Sequence, residues 1–264
     1  MNVNLSGKVA LVTASSKGIG LAIAEEFLKA GADVAICARN ADHLDAAREK
    51  LVKSHGSRVL ARTGDIADPT FLQSFISEVV EAHAGRIDIL VNNSGGPPPG
   101  EAIERTDEEW LSALNNNFLS VVRMCRLVVP FMKQNNWGRI INLTSTAAKE
   151  PAPGMVLSNA TRAAVVAYGK TLAHELGPFG ITVNTILTGG CLTERLESLL
   201  RRKIEGSDET LEEAIANIEK TIPVRHIATP TEFAQTILFL ASPASSYLTG
   251  AAIPLDGGAS KSTF

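Results

Sequence analysis

The chain has 264 residues, 45% of them hydrophobic, and a formal net charge of −3. That length fits one large α/β domain or two small ones, with apolar content enough for a core covered on both faces. The slight negative charge gives no reason to expect a nucleic-acid partner, since the longest basic cluster, Arg201-Arg202-Lys203, is broken at once by Glu205. The three cysteines, Cys37, Cys125 and Cys191, are odd in number and widely spaced. They suggest neither a disulfide framework nor a metal site, and so a reducing compartment. No apolar run reaches membrane-spanning length, and residues 1–7 hold no signal-peptide core. The expected location is the cytoplasm, without a membrane partner.

Short β-branched runs alternate with amphipathic segments of helical length. The runs Val9–Thr13, Asp33–Ala38, Arg58–Arg62, Ile87–Asn92, Arg139–Leu143, Ile181–Ile186 and Ala252–Leu255 are predicted strands. Helical patterns lie between them near Gly18–Ala30, Asp42–Ser54, Pro69–His83, Asp107–Gln134, Val156–Gly177 and Thr231–Ala241. Nearly continuous apolar strands separated by helices predict an α/β fold: a doubly wound, Rossmann-like parallel sheet of about seven strands, with helices on both faces. Ligands of such sheets lie at the carboxyl ends of the strands. No linker or repeat divides the chain, so residues 1–264 are expected to form one domain. The charged segment 193–223, inserted after a strand, reads as a solvated helical pair that also suits a substrate lid.

The first predicted strand runs into Thr13-Ala14-Ser15-Ser16-Lys17-Gly18-Ile19-Gly20, followed by a helix. Small residues let the backbone approach a pyrophosphate, and the helix start offers free N–H groups and a positive dipole end. The plain alternative is an ordinary tight turn. The second strand ends at Ala38-Arg39, with no carboxylate to accept from a free adenine ribose. Lys17 and Arg39 would suit a ribose 2′-phosphate, and hence NADP(H), unless both are simple surface cations. Gly64-Asp65-Ile66 and Asn92-Asn93-Ser94-Gly95 follow the next two strands, and the stiff loop Gly96-Pro97-Pro98-Pro99-Gly100 could wall a substrate entrance.

These motifs, in this order, resemble the short-chain dehydrogenase/reductase family over roughly residues 5–260, and most of all its 3-oxoacyl-[acyl-carrier-protein] reductase-like branch. The family has Thr-Gly-x-x-x-Gly-x-Gly at the phosphate loop, where this chain has Ala14, and Asn-Asn-Ala-Gly where it has Ser94. The resemblance implies a pyrophosphate site at Thr13, Ser15, Ser16, Lys17, Gly18, Ile19 and Gly20. It implies adenine contacts at Asp65 and Ile66, and further cofactor contacts at Asn93, Ser94, Gly95, Gly189 and Thr193. Arg39 completes this set, and its pairing with Lys17 resembles the NADP-preferring members. Asn117 falls where members support a proton-relay water, and Ser145 where they orient substrate. The C-terminal run Gly250–Gly258 builds a tetramer contact in many members, which implies a homotetramer or homodimer.

The chain departs from the family at the position that matters most. Ser158 and Arg162 stand where it has its catalytic Tyr and Lys, and neither Tyr168 nor Tyr247 can replace the phenol by a slip of register. The i, i+4 spacing puts both on one helix face. An aliphatic hydroxyl is a much weaker acid than a phenol, and an arginine does not readily relay protons. Arg162 could still hold the nicotinamide ribose or an anionic substrate group. Ser158 could still hydrogen-bond a carbonyl; the family's 2,4-dienoyl-CoA reductases share that Ser but keep Lys. The resulting expectation is an NADP(H)-dependent oxidoreductase acting on a carbonyl or conjugated enoyl substrate, anionic or thioester, with Asn117, Ser145, Ser158 and Arg162 as its catalytic set. The alternative is a silent NADP(H)-binding sensor or scaffold, whose Ser158 and Arg162 merely replaced a lost site at the surface. Cys191 reads as a packing residue, with no His close in sequence.

Overall fold

The structure, a computed structural model, describes residues 3–56 and 58–263. Its strands are β1 (Val9–Val12), β2 (Asp33–Ala38), β3 (Val59–Thr63), β4 (Ile89–Asn92), β5 (Gly138–Leu143), β6 (Ile181–Thr188) and β7 (Ala252–Leu255). They form one sheet in the order β3-β2-β1-β4-β5-β6-β7, every pairing parallel. The order reverses direction between β1 and β4, and a crevice opens there at the carboxyl ends.

Helices connect the strands: α1 (Gly18–Lys29), α2 (Ala41–His55), α3 (Pro69–Ala82), α4 (Asp107–Leu114), α5 (Ser120–Gln134), α6 (Val156–Leu176), α7 (Glu194–Lys203), α8 (Leu211–Glu219) and α9 (Pro230–Ala241). The central strands are buried on both sides, which is why they read as unbroken apolar runs rather than as alternations. On one face, Ile23, Ala24 and Phe27 of α1 and Ile237 of α9 pack with Val12, Ile36 and Val91. On the other, Phe75 of α3, Met124 and Val128 of α5 and Val165 of α6 pack with Leu11, Ala35 and Leu90. Each fully buried Phe or Leu contributes about 1.5–3 kcal/mol relative to exposure.

One expected helix is interrupted. The pattern Asp107–Gln134 divides into α4, a π turn over Asn115–Leu119, and α5. Three consecutive asparagines open it, because each side-chain amide takes a carbonyl elsewhere. Asn115 donates to Ala67, Asn116 to Ser112, and Asn117 to Gly95. Such side chains compete with the backbone ladder, and the wider turn re-aims Asn117 inward.

The segment after β6 folds into α7 and α8, begun by Thr193 and Thr210, whose hydroxyls accept from backbone N–H groups three residues on. Most of it is exposed, and Leu200, Ala214 and Ile222 tie it down. Cys191 and Ala228 bridge its base.

The turn after β1 holds Ala14 at φ +48, a left-handed conformation that costs a residue with a β-carbon roughly 1–2 kcal/mol. The turn persists because Ser15 N–H bonds to Cys37 O at 3.1 Å and the Asn93 amide bonds to Ala14 O at 3.1 Å. Ala14→Gly should therefore raise the free energy of unfolding by about 1 kcal/mol. Urea denaturation followed by circular dichroism checks this, and a lower midpoint would show that no strain resides at Ala14.

Candidate active site

The crevice at the carboxyl ends of the strands widens into a cleft of about 1220 Å³, bounded on one side by α7. Ser16, Lys17, Gly18 and Ile19 line it, whereas Thr13, Ser15 and Gly20 stand behind the loop and shape it. Thr13 Oγ1 donates to Asn93 O at 2.6 Å and accepts from Asn93 N at 2.8 Å. This reciprocal pair joins the β1 and β4 loops. Ser15 Oγ donates to Val12 O at 2.7 Å. A β-carbon at Gly20 would stand 2.6 Å from Ala14 O and 2.9 Å from Asn93 Nδ2, so the loop can fold this tightly only with glycine there. No side chain caps α1, and its first N–H groups face the cleft beside Gly18.

At the far end, Ala38, Arg39, Asn40, His43, Gly64, Asp65 and Ile66 line the wall. Arg39 is exposed and has no ion pair among the described residues. The Asp65 carboxylate accepts from Ala67 N at 2.9 Å and so shapes its own turn. Lys17 reaches instead across the mouth to Glu194 of α7, at 2.5 Å. The ammonium holds the Glu194 carboxyl below its ordinary range. Both side chains are exposed, so the contact adds little stability and yields readily to a stronger partner.

Asn117 and Arg162 meet at Ser94. Asn117, buried in the π turn, donates from Nδ2 to Ser94 Oγ at 2.9 Å and to Gly95 O at 2.7 Å. Arg162 donates from Nη1 to Leu143 O at 3.0 Å and to Ser94 Oγ at 3.3 Å, and from Nη2 to Ser94 O at 3.3 Å. With both lone pairs of Ser94 Oγ engaged, its own proton is left to donate. Ser145 begins a short 3-10 turn and accepts from Ala147 N at 3.2 Å. Ser145, Ser158, Arg162, Gly189 and Thr193 all line the same cleft. Thr193 spends its hydroxyl on the start of α7 and rests its methyl group near Gly18.

Ser158 and Arg162 are each only 6% exposed, which corrects the reading of them as surface residues. Burial, and after it the charge of Arg195, pushes the Arg162 guanidinium down to about 10, so it is still a cation at neutral pH. No carboxylate pairs with it among the described residues. Burial likewise pushes the Cys191 thiol up to about 12, which leaves it neutral and fits a packing role. Among the described residues, no group of three His, Cys, Asp or Glu could hold a metal ion, and no helix is long and apolar enough to cross a membrane.

Two side chains at the cleft escaped the sequence reading. Glu194 and Arg195 sit among the charges of α7 and look there like a solvated face. Yet Glu194 meets Lys17, and the Arg195 guanidinium lies against Gly96. Only their place in the first turn of α7, at the cleft rim, could have marked them.

The family described as Enoyl-(Acyl carrier protein) reductase matches residues 13–260. A 3-oxoacyl-[acyl-carrier-protein] reductase of Chlamydia muridarum is 32% identical over 98% of this chain and 99% of its own. L-Sorbose reductase from Gluconobacter frateurii, complexed with NADPH and L-sorbose, is 34% identical, with a TM-score of 0.94 over 99% of this chain and 100% of that one. An NADPH-bound short-chain oxidoreductase from Pseudomonas aeruginosa PAO1, described as containing an atypical catalytic center, is 35% identical, with a TM-score of 0.90 over the same shares. Matched by the family model over most of its length, and sharing about a third of its residues and its whole fold with such relatives, the chain belongs to the short-chain dehydrogenase/reductase family.

Proposed function

We propose that this protein is an NADP(H)-dependent oxidoreductase that reduces a carbonyl or conjugated enoyl group of a small molecule through a Ser/Arg site. The observation that carries the reading is one cleft with an uncapped helix start and the unpaired Arg39 at one end, and Ser145, Ser158 and Arg162 at the other. NADPH-bound relatives with the same fold support it.

The residues present fit the dinucleotide. The start of α1 offers N–H groups to a pyrophosphate, and Gly18 and Gly20 allow the close approach. Arg39, with Lys17 once it leaves Glu194, would hold a 2′-phosphate. Asp65 and Ile66 would contact the adenine, and Asn93, Ser94, Gly95, Gly189 and Thr193 the nicotinamide half. When bound, NADPH supplies a hydride. Ser145 and Ser158 would hydrogen-bond the substrate oxygen, and the Arg162 cation would stabilise the negative charge that develops there. Charge stabilisation suits an enolate-like oxygen better than proton donation does, because Ser158 is a poor acid at neutral pH. Asn117 would act as a positioning residue that holds the Ser94-Gly95 backbone. The α7–α8 insertion would serve as the lid. Copies of the chain would associate through the C-terminal strand as a homodimer or homotetramer, since among the described residues β7 pairs only with β6, and Tyr247 is fully exposed.

NADPH should bind more tightly than NADH, because each charge-assisted contact to the 2′-phosphate contributes roughly 1.5–3 kcal/mol. Calorimetric titration should also show Arg39→Ala narrowing the gap, and Glu194→Gln widening it by releasing Lys17. Equal affinities of the native protein for the two dinucleotides would sink the assignment.

Turnover should fall further in Arg162→Ala than in Ser158→Ala. The first removes a buried cation, and the second one hydrogen-bond donor. Loss of NADPH absorbance with ketone, 3-oxoacyl thioester and enoyl thioester panels tests the ranking, which the reverse order would overturn.

Restoring the family pair by Ser158→Tyr with Arg162→Lys should create or raise ketone reductase activity, more than either single change. The phenol is tuned by the ammonium, and the two act as a unit. A folded, NADPH-binding double variant that reduces no ketone of a broad panel would favour the silent binder.

A further inference from the structure

We infer that the reaction half of the cleft contains a carboxylate site made by Arg162 and Arg195, and that the substrate is a compact oxo or enoic acid rather than a carrier-bound thioester. The inference rests on the reading of this cleft as a reductase site and names the class of molecule that it takes.

Arg162 comes from the body of the fold. It is buried, and its Nη atoms are held by Leu143 O and by Ser94, all neutral acceptors, while its Nε has no partner. Arg195 comes from the opposite wall. Its side chain stretches from the first turn of α7 to the β4 loop, where Nη2 would stand 2.7 Å from a β-carbon on Gly96. The two guanidiniums thus lie against backbone only two residues apart, at Ser94 and Gly96, and Arg195 is near enough to weigh on the charge of Arg162. Neither has an ion pair among the described residues.

The acidic residues of the same cleft are engaged elsewhere. Glu194 holds Lys17, Glu109 holds Arg105 and the Thr106 N–H, Asp65 closes its own turn, and Glu108 folds back on the start of α4. Arg162 is desolvated without a counter-charge, and Arg195, exposed at the mouth, adds a second positive charge to the same space. An anion between them relieves both, and the planar fork of arginine matches a carboxylate.

The position sets the substrate's size. Ser158 lies one helical turn from Arg162, with β-carbons about 5–6 Å apart. Ser158, Arg162 and Arg195 line one cleft, so a compact molecule can place an anion at the arginines and an oxygen at Ser158. A 2- or 3-oxo acid, or its conjugated enoic counterpart, has that geometry. In an acyl-carrier thioester the phosphate sits at the far end of the pantetheine arm, too distant to reach this pair.

The test uses the NADP+ complex, which has no hydride to give, so binding is read without turnover. Acetoacetate and crotonate are titrated by calorimetry beside their methyl esters. The acids should bind the native protein at least roughly tenfold more tightly than the esters. Arg195→Gln should bring acid and ester within about twofold of each other, Arg195→Lys should keep part of the difference, and the NADP+ dissociation constant should change by less than about twofold. Equal affinity of acid and ester, or no binding of either acid, would overturn the proposal. So would an Arg195→Gln variant that weakens NADP+ as much as it weakens the acids, because Arg195 would then belong to the cofactor. Failure of the native protein to bind NADP+ at all would remove the cofactor reading instead, and the acid–ester comparison on the cofactor-free protein would then decide the anion site.

Discussion

A charged guanidinium enclosed by neutral groups constrains the rest of this site. Arg162 is almost wholly buried, and its hydrogen bonds run to two backbone carbonyls and one hydroxyl. Desolvation without a counter-charge disfavours the cation, which is why its pKa is pushed down to about 10. For a cationic group depressed in the fold, this penalty is present in full below about pH 10 and fades as pH rises from there towards the unfolded value. At neutral pH the protein therefore carries a folding cost in this cleft. The Leu143 and Ser94 carbonyl dipoles offset part of it, and a bound anion would offset more.

Much of the neighbouring architecture keeps those carbonyls in place. The Ser94-Gly95 backbone is gripped by Asn117 from one side and by Arg162 from the other. Asn117 can reach only because the helix opens into a π turn at Asn115–Leu119. The same loop is fastened to the phosphate turn by the reciprocal Thr13–Asn93 pair and by the Asn93 amide on Ala14. A displacement at either end of the cleft is thus transmitted through a short chain of hydrogen bonds. A substitution at Asn117 would loosen the Ser94-Gly95 backbone, and one at Asn93 would release the phosphate turn as well.

The fold was legible in the sequence because its strands are covered on both faces and so appear as unbroken apolar runs. Even strand ends fell within a residue or two, as at β1, which stops at Val12 because Thr13 turns to the β4 loop. The tight turn between β1 and α1 could be read because small residues, Lys17 apart, stand between the strand and the helix. Three things were hidden. The π turn depends on where each asparagine amide finds a carbonyl, and two of those carbonyls, Ala67 O and Gly95 O, belong to distant segments. The burial of Ser158 and Arg162 depends on how α6 packs, whereas their spacing shows only that they share a face. The Asp88 carboxylate, fully enclosed between Lys8, Arg86 and the Val9 N–H, anchors β1 to β4 but resembles any acidic residue near a strand start.

The first turn of α7 joins these threads. Glu194 and Arg195 are consecutive, yet one points to the phosphate loop and the other to the β4 loop, at opposite sides of the same mouth. Thr193 fixes the start of the helix, and Cys191 fixes the base of the insertion by bridging to Ala228. A dinucleotide phosphate that drew Lys17 away would free Glu194 while the turn remained anchored by its cap. An anion in the reaction half would pull on Arg195 from the other direction. Both ligands would therefore act on one short, exposed helical turn whose own packing is slight, and the weakness of its ion pair would allow that turn to respond.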